Sequence, residues 1–223
     1  METISGTIET IEHVQEGIAA LVAAEPRFSH VLAHTGIPPL RRLPGGYRGL
    51  LRIITEQQLS LQSAKAIWGR MEERHDVDSP QAILALSDED FRAVGQSAAK
   101  VRTIRQLSAA IMEGLLDIDL LDRAPDEEVR RMLTAQKGIG PWTAEIYLLA
   151  CLGRRDAWPA GDLALQVAAQ AAFDLPARPD ARELEAMAEA WRPWRAVAAR
   201  LIWAYYAVIK SNGRPGDVNP VVE

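Results

Sequence analysis

Two features of the sequence could carry chemistry: a glycine-flanked turn and a single carboxylate downstream of it. Gly138 and Gly140 flank Ile139, and a proline suited to a first helical position follows. Glycines let a ligand approach the backbone closely, and amides at a helix start lie beside the positive end of its dipole. This combination suits a phosphate. The carboxylate is Asp162, which ends a Gly/Pro loop over residues 153–162.

Helical segments on both sides position this turn. Residues 126–135 predict a short helix with Val129 and Leu133 on its apolar face, and helical spacing resumes from Trp142 to Leu152. The sequence therefore predicts a helix-hairpin-helix over residues 126–152. A bare Gly-x-Gly is also compatible with a simple loop between packed helices, so the wider sequence has to separate the two interpretations.

The remaining periodicity is helical almost throughout, and almost no segment alternates with a period of two. An all-α fold is therefore predicted, with Trp68, Trp191 and Cys151 as core residues. Breaks are expected around residues 38–46, 79–80 and 176–179. The other predicted helices are residues 8–24, 49–73, 80–86, 88–94, 98–114, 162–173, 181–190 and 194–210.

Composition indicates a single enzyme-sized unit. The chain has 223 residues, 48% of them hydrophobic, which is enough to bury a sizeable core. Residues 1–223 are therefore expected to form one catalytic unit. No apolar run or basic leader predicts a membrane span or a signal peptide, so a cytoplasmic protein is expected. Cys151, the only cysteine, excludes an internal disulfide and a four-thiolate iron-sulfur cluster. The four histidines show no metal-ligand spacing.

The net charge of −5 argues against an indiscriminate DNA binder, because duplex affinity comes largely from neutralised phosphates. It allows a local basic face. Basic residues cluster before, within and after the middle of the chain, although each cluster could equally be a solvated helix surface. The clusters are Arg41, Arg42, Arg48 and Arg52; Lys100, Arg102 and Arg105; and Arg192, Arg195 and Arg200.

The string Lys137-Gly-Ile-Gly-Pro-Trp-Thr-Ala closely resembles the helix-hairpin-helix of the DNA glycosylase superfamily, in which a Gly/Pro loop and an aspartate follow. Within it, the chain looks most like the alkylpurine (3-methyladenine) DNA glycosylase II family. Three segments in family order extend the resemblance to about residues 45–210. They are Ile54-Thr-Glu-Gln-Gln-Leu-Ser60, Val94-Gly-Gln-Ser-Ala-Ala-Lys-Val101 and Trp191-Arg-Pro-Trp-Arg-Ala-Val-Ala198.

The resemblance implies two helical lobes with a cleft, bordered by the hairpin and Asp162. The best-known relatives carry an N-terminal sheet domain, which the helical residues before Tyr47 are too few to form, so a compact member is expected. It also implies a monofunctional glycosylase that flips and hydrolytically excises alkylated purines in base excision repair. Asp162 would be the catalytic residue, although a Gly-Asp-Leu sequence alone is typical of a helix N-cap.

The chemistry of this reaction needs few groups. Cleavage of an N-glycosidic bond passes through an oxocarbenium-like sugar, which a carboxylate can stabilise, or the carboxylate can orient the attacking water. In relatives that also cut the backbone, an amine attacks from the position that Trp142 holds here. No lyase activity is therefore expected.

The family motifs also imply how the damaged base is held. Trp142 and Trp203 match positions that line the base pocket, where an aromatic face suits positively charged methylated purines. The family's pocket tyrosine aligns with Ile146, and Tyr147 lies beside it. The gap left by the flipped base would be filled by Gln58 or Leu59, although the same residues could be a polar first turn of a helix.

DNA contacts of the hairpin are assigned by the same resemblance. Its backbone-binding residues would be Lys137, Gly138, Ile139 and Gly140. The backbone carbonyls of Thr134, Gln136 and Ile139 match positions that hold a monovalent cation, Na⁺ or K⁺, in family hairpins. No cofactor is otherwise required, and the implied partner is double-stranded DNA containing damaged bases, bound by a monomer. In a bacterium the protein would be associated with the nucleoid.

Two alternatives stay open on the sequence alone. One is a glycosylase for deaminated or oxidised bases. The other is a non-catalytic module that recognises damaged DNA, which would need the hairpin but neither Asp162 nor a pocket tryptophan.

Overall fold

The computed structural model describes residues 6–212, which fold as helices. In that range the only strand-type pairing is an isolated bridge between Thr7 and Arg154, so the predicted all-α class is confirmed. The helices are α1 (Ile11–Ala24), α2 (Phe28–Thr35), α3 (Gly46–Glu56), α4 (Leu61–Arg74), α5 (Pro80–Leu84), α6 (Asp88–Val94), α7 (Ala98–Met112), α8 (Ile118–Leu121), α9 (Asp126–Thr134), α10 (Pro141–Ile146), α11 (Leu163–Ala172), α12 (Ala181–Ala188) and α13 (Arg195–Asn212). A π-helical turn, Tyr147–Cys151, follows α10, and a 3₁₀ turn, Glu189–Trp191, follows α12.

The single long helix predicted for residues 49–73 is wrong. Helix α3 ends at Glu56 and α4 begins at Leu61, because Gln58 takes a left-handed φ of 54° that no α-helix can continue. Ser60 then caps α4, its side chain accepting a hydrogen bond from the amide of Ser63 at 3.3 Å. The break leaves residues 57–60 as a loop in which Gln58 is exposed and the other three residues are half-buried.

The helices pack in two groups. Helices α1, α2 and α11 contact the C-terminal α13, whereas α3 contacts α4, α7 and the π-helical turn. The rings of Phe28, Phe173 and Trp191 lie 5.2–5.3 Å apart within the first group. Trp191, Trp68 and Cys151 are all buried, so their assignment to the core is confirmed. The predicted division into two lobes agrees with this grouping but stays a prediction.

Two arginines of the basic clusters, Arg195 and Arg200, are buried, and others bond to the backbone from the surface. Arg42 donates to the carbonyls of Ile8, Ala150 and Cys151, and Arg200, only 4% exposed, donates to the carbonyl of Arg41. Burial, with the nearby positive charge of Arg42, lowers the pKa of Arg200 to about 10. The guanidiniums of Arg42 and Arg200 are therefore bonded to backbone carbonyls, whereas Arg102 and Arg192 are exposed.

Neither a membrane-crossing helix nor a metal-holding side-chain cluster is found in residues 6–212. No helix in this range is long and apolar enough to span a bilayer, and no group of three or more His, Cys, Asp or Glu side chains is arranged to hold a metal ion.

Candidate active site

The hairpin is built as its sequence predicts. Acidic residues in the first turn of α9 complement the helix dipole, and Pro141 occupies the first turn of α10. Between the helices, Gly138 has a φ of 90°, and a Cβ added there would lie 2.3 Å from the hydroxyl oxygen of Thr103. Only glycine fits that position, so the close approach of α7 depends on it.

Three of the four predicted backbone-binding residues of the hairpin are exposed. Lys137, Gly138 and Gly140 face solvent, whereas the side chain of Ile139 is 5% exposed and packs into the core. The amide of Ile139 donates to the carbonyl of Gln136 at 3.0 Å, which closes the turn. Ile139 thus holds the loop against the protein while its neighbours are free to meet a ligand.

Asp162 is the N-cap of α11, its Oδ1 accepting a hydrogen bond from the amide of Leu165 at 3.0 Å. The cap interpretation of the sequence is therefore correct for this carboxylate. Two more donors reach it, however: the indole Nε1 of Trp142 lies 2.9 Å from Oδ2, and that of Trp203 lies 3.1 Å from Oδ1. A cap needs neither indole.

The two tryptophans predicted to line the base pocket thus meet at the predicted catalytic residue. Trp142 begins the second hairpin helix, Trp203 lies in α13, and Asp162 starts α11, so three separate elements converge on one carboxylate. Asp162 and Trp203 are 5% exposed, and Trp142 is half-buried. Buried polar groups are normally paired, and this carboxylate is paired with N–H donors only.

Ile146 and Tyr147 do not line a pocket in this structure, which corrects their assignment to it. Both side chains are fully buried, and the hydroxyl of Tyr147 accepts a hydrogen bond from the amide of Gly46 at 2.9 Å. A π-helical turn begins at Tyr147, where the amide of Leu152 donates to the carbonyl five residues back. This wider turn changes which of the residues after Tyr147 share a face with Trp142.

A residue that the sequence reasoning missed, Tyr206, lies beside the carboxylate. It is 5% exposed, and burial together with the charge of Asp162 raises the pKa of its hydroxyl. The ammonium of Lys210 lies 5.2 Å from the centroid of its ring. The signal was available, since Trp203, Tyr206 and Lys210 are spaced by three and four residues and therefore share one helix face.

The loop of residues 57–60 is attached to the hairpin. The side-chain amide of Gln57 donates to the hydroxyl of Thr143, on α10, at 2.7 Å. Gln58 is exposed with its left-handed φ, and Leu59 is half-buried beside it. The structure thus brings the two predicted wedge residues next to the second hairpin helix, and their role as a wedge stays a prediction.

The predicted cation position is compatible with the hairpin geometry. The carbonyl of Gln136 already accepts one hydrogen bond, from Ile139, but a carbonyl has a second lone pair. The hydroxyl of Thr134 donates to the carbonyl of Arg130 at 2.7 Å, so that side chain does not compete for a cation. The cation at the carbonyls of Thr134, Gln136 and Ile139 stays a prediction.

A helix-hairpin-helix followed by a capped, indole-bonded aspartate is the arrangement of a class of DNA-repair proteins. The chain matches the family model described as HhH-GPD superfamily base excision DNA repair protein over residues 51–195, and it belongs to this superfamily. Within the superfamily it belongs to the 3-methyladenine DNA glycosylase family. It is 32% identical to DNA-3-methyladenine glycosylase 1 of Schizosaccharomyces pombe over 161 residues, which are 70% of this chain and 71% of that relative.

Solved structures agree with this placement. The S. pombe 3-methyladenine DNA glycosylase in complex with abasic DNA superposes with a TM-score of 0.79 at 28% identity, covering 84% of this chain and 95% of that one. A DNA-3-methyladenine glycosidase from Bacillus halodurans superposes with a TM-score of 0.72 at 30% identity, covering 94% and 95% of the two chains.

Proposed function

We propose that this protein is a monofunctional DNA glycosylase that flips alkylated purines of the 3-methyladenine and 7-methylguanine type and excises them hydrolytically in base excision repair. The observation that carries the proposal is the carboxylate of Asp162, bonded by the indoles of Trp142 and Trp203 at 2.9 and 3.1 Å. Aromatic faces and a negative charge in one place suit a cationic base and the cationic sugar left when it departs. The names of the relatives agree with this activity.

The donors around Asp162 favour charge stabilisation over water activation. An ionised carboxylate has about four lone-pair directions, and three N–H groups occupy three of them. Little capacity is left to take a proton from water. In the reaction the C1′–N bond breaks with its electron pair on the base, which leaves as a neutral purine. Water then adds to C1′, and its extra proton passes to solvent.

The same site argues for base release without strand cleavage. A lyase needs an amine that attacks C1′, and the position from which relatives supply it holds the indole of Trp142, which is bonded to Asp162. We therefore expect an intact abasic site as the product.

The DNA partner is a damaged duplex, bound by one copy of the chain. Exposed Gly138 and Gly140 offer backbone amides to a phosphate, with a bound Na⁺ or K⁺ adding positive charge beside it. Gln58 and Leu59 would fill the gap in the stack, since their loop is held to α10 through Gln57. The proposed location is cytoplasmic, with the protein associated with the DNA.

The test is release of 3-methyladenine or 7-methylguanine from methylated duplex DNA by the wild type and by Asp162→Asn. We expect release by the wild type and a fall of about 100-fold or more in the variant, the scale seen when an electrostatic stabiliser is removed. Asp180→Asn is the matched control, because Asp180 is an exposed N-cap whose side chain accepts from the amide of Glu183 at 2.8 Å. Asparagine caps as well as aspartate, so this control should keep full activity.

Each other outcome rejects part of the proposal. Full activity in Asp162→Asn would remove the catalytic assignment. Release of hypoxanthine, uracil or an oxopurine with little alkylpurine would instead indicate an enzyme for deaminated or oxidised bases. Binding of an abasic duplex without release of any base would indicate a damage-recognition module.

A further inference from the structure

Glu145 connects three segments of the site, although neither the hairpin motif nor the proposed chemistry uses it. It lies on α10 and is 14% exposed, and its carboxylate pairs with Arg130 on α9. Its Oε2 also accepts a hydrogen bond from the backbone amide of Trp158, in the loop before Asp162, at 2.8 Å. One side chain therefore joins both hairpin helices to the loop that ends at the catalytic carboxylate.

Backbone hydrogen bonds continue from this contact to Asp162. The carbonyl of Trp158 accepts from the amide of Ala160 at 3.0 Å, and the carbonyl of Pro159 accepts from the amide of Asp162 at 2.8 Å. These two turns leave little freedom between residues 158 and 162. The position of the Trp158 amide therefore sets the position of the Asp162 backbone.

The loop is also held at its other side. Asp156 is 8% exposed and accepts from Nε of Arg195 at 2.9 Å, which joins the loop to α13. The ring of Trp158 packs against Trp191 with the centroids 5.4 Å apart. The hairpin contacts the loop at both ends, through Arg154 with Asp126 of α9 at 3.4 Å and through Trp142 with Asp162 at 2.9 Å. Glu145 joins the middle of the loop to both hairpin helices.

Burying the carboxylate of Glu145 carries a desolvation penalty. Burial raises the pKa of Glu145, and the nearby charge of Arg130 opposes this shift. A buried carboxylate is stable only when it is paired and hydrogen-bonded, and both conditions are met here. A neutral side chain would avoid the cost, but an aliphatic one could not accept from Trp158.

We propose that Glu145, paired with Arg130, is a positioning residue for Asp162. Through the amide of Trp158 it fixes the distance between the hairpin that binds the DNA phosphate and the carboxylate that faces C1′. This role rests on the proposed glycosylase function. It acts through Asp162 and makes no contact with DNA.

The test compares Glu145→Gln, which can still accept from Trp158, with Glu145→Leu, which cannot. The measurements are the single-turnover rate of base release from methylated duplex DNA and the Kd for a duplex with an abasic analogue. We expect Glu145→Leu to lower the rate by about 100-fold, the effect of a displacement near 1 Å, with an unchanged Kd, and Glu145→Gln to retain most of the rate. Glu128→Gln is the control, since Glu128 forms an ion pair with Arg131 on the surface of α9, the helix that carries Arg130.

Two further measurements separate positioning from a general loss of structure. In an Asp162→Asn background, Glu145→Leu should cause no further fall in rate, because both changes act through one group. Amide hydrogen exchange at Trp158 should accelerate in Glu145→Leu and stay slow in Glu145→Gln. If Glu145→Leu does not fold, Arg130→Met removes the ion pair that holds the Glu145 carboxylate towards the Trp158 amide, and it should lower the rate at constant Kd.

The results that overturn the proposal are specific. They are a wild-type rate in Glu145→Leu, a parallel loss of rate and DNA affinity, an additive loss in the Asp162→Asn background, or unchanged exchange at Trp158. A wild type that releases no alkylpurine would refute the proposed function instead. The exchange measurement would then still show whether Glu145 holds the loop.

Discussion

The hydrogen bond between Trp142 and Asp162 gives the sharpest test of the site geometry. Trp142→Phe removes the indole N–H that donates to Oδ2 at 2.9 Å and keeps an aromatic face for the base. Oδ1 retains both of its donors, the amide of Leu165 and the indole of Trp203. The carboxylate therefore stays in place at one oxygen and loses its orientation at the other.

The size of the effect follows from the type of bond. A hydrogen bond to a charged group contributes about 1.5–3 kcal/mol, and water replaces it poorly because Asp162 is only 5% exposed. If the bond serves to orient the carboxylate in the transition state, the single-turnover rate should fall by roughly 10- to 150-fold. The same loss should lower the Tm by roughly 3–12 °C for a chain of this size.

The assay is single-turnover release of 3-methyladenine from methylated duplex DNA, beside a thermal melt and the Kd for an abasic duplex. Trp142→Leu, which also loses the aromatic face, should be slower than Trp142→Phe. Trp194→Phe is the control, because the half-buried ring of Trp194 stacks under the guanidinium of Arg155 at 5.2 Å. A wild-type rate in Trp142→Phe would refute the reasoning, and a lower Tm with that rate would make the bond purely structural.

Three further outcomes are expected. Burial raises the pKa of Glu56 despite a neighbouring arginine, so the folded protein loses stability as the pH rises from 4.5 through that raised pKa. Glu56→Gln should therefore have a higher Tm than the wild type at pH 7, and the difference in Tm should shrink as the pH falls towards 4.5. Gly138→Ala should lower the Tm because Gly138 has a φ of 90°. Gly140→Ala should keep the Tm, since its Cβ meets no other protein atom, but the same Cβ should weaken binding to an abasic duplex by obstructing the phosphate. Gln58→Gly relieves a left-handed φ of 54° and should raise the free energy of unfolding by about 1 kcal/mol. The same variant should weaken binding to an abasic duplex. If Leu59→Ala weakens this binding and Gln58→Gly does not, Leu59 is the wedge.

Local signals were enough to predict the hairpin and the helix that Asp162 caps, whereas the catalytic role of Asp162 came from the family resemblance and stays a prediction. The Gly-Ile-Gly turn, the proline after it and the Gly-Asp sequence all act within a few residues, and the structure has each of them in the expected place. The interruption between α3 and α4 was missed because neither glycine nor proline marks it. Ser60, a good capping residue ahead of Leu61, was the available signal.

What the sequence could not supply depends on long-range contacts. Arg195 and Arg200 look like surface cations in the sequence, but both are 4% exposed, and Arg200 donates to the carbonyl of Arg41, 159 residues earlier in the chain. Tyr147 lies next to the motif, yet its side chain is fully buried and its hydroxyl accepts from the amide of Gly46, 101 residues earlier in the chain. Such a contact depends on tertiary packing, which no local pattern records.

The burial of Arg195 and Arg200 has a consequence for how this protein searches a genome. A hairpin that meets phosphates mainly through backbone amides, with Lys137 as its cation, displaces few counterions, so its affinity for intact duplex should be modest and should change little with salt. Encounters with undamaged DNA would then be brief, with dissociation faster than sliding over long distances. Such a protein samples the genome by many short visits, and it stays only where a weakened base can leave the stack.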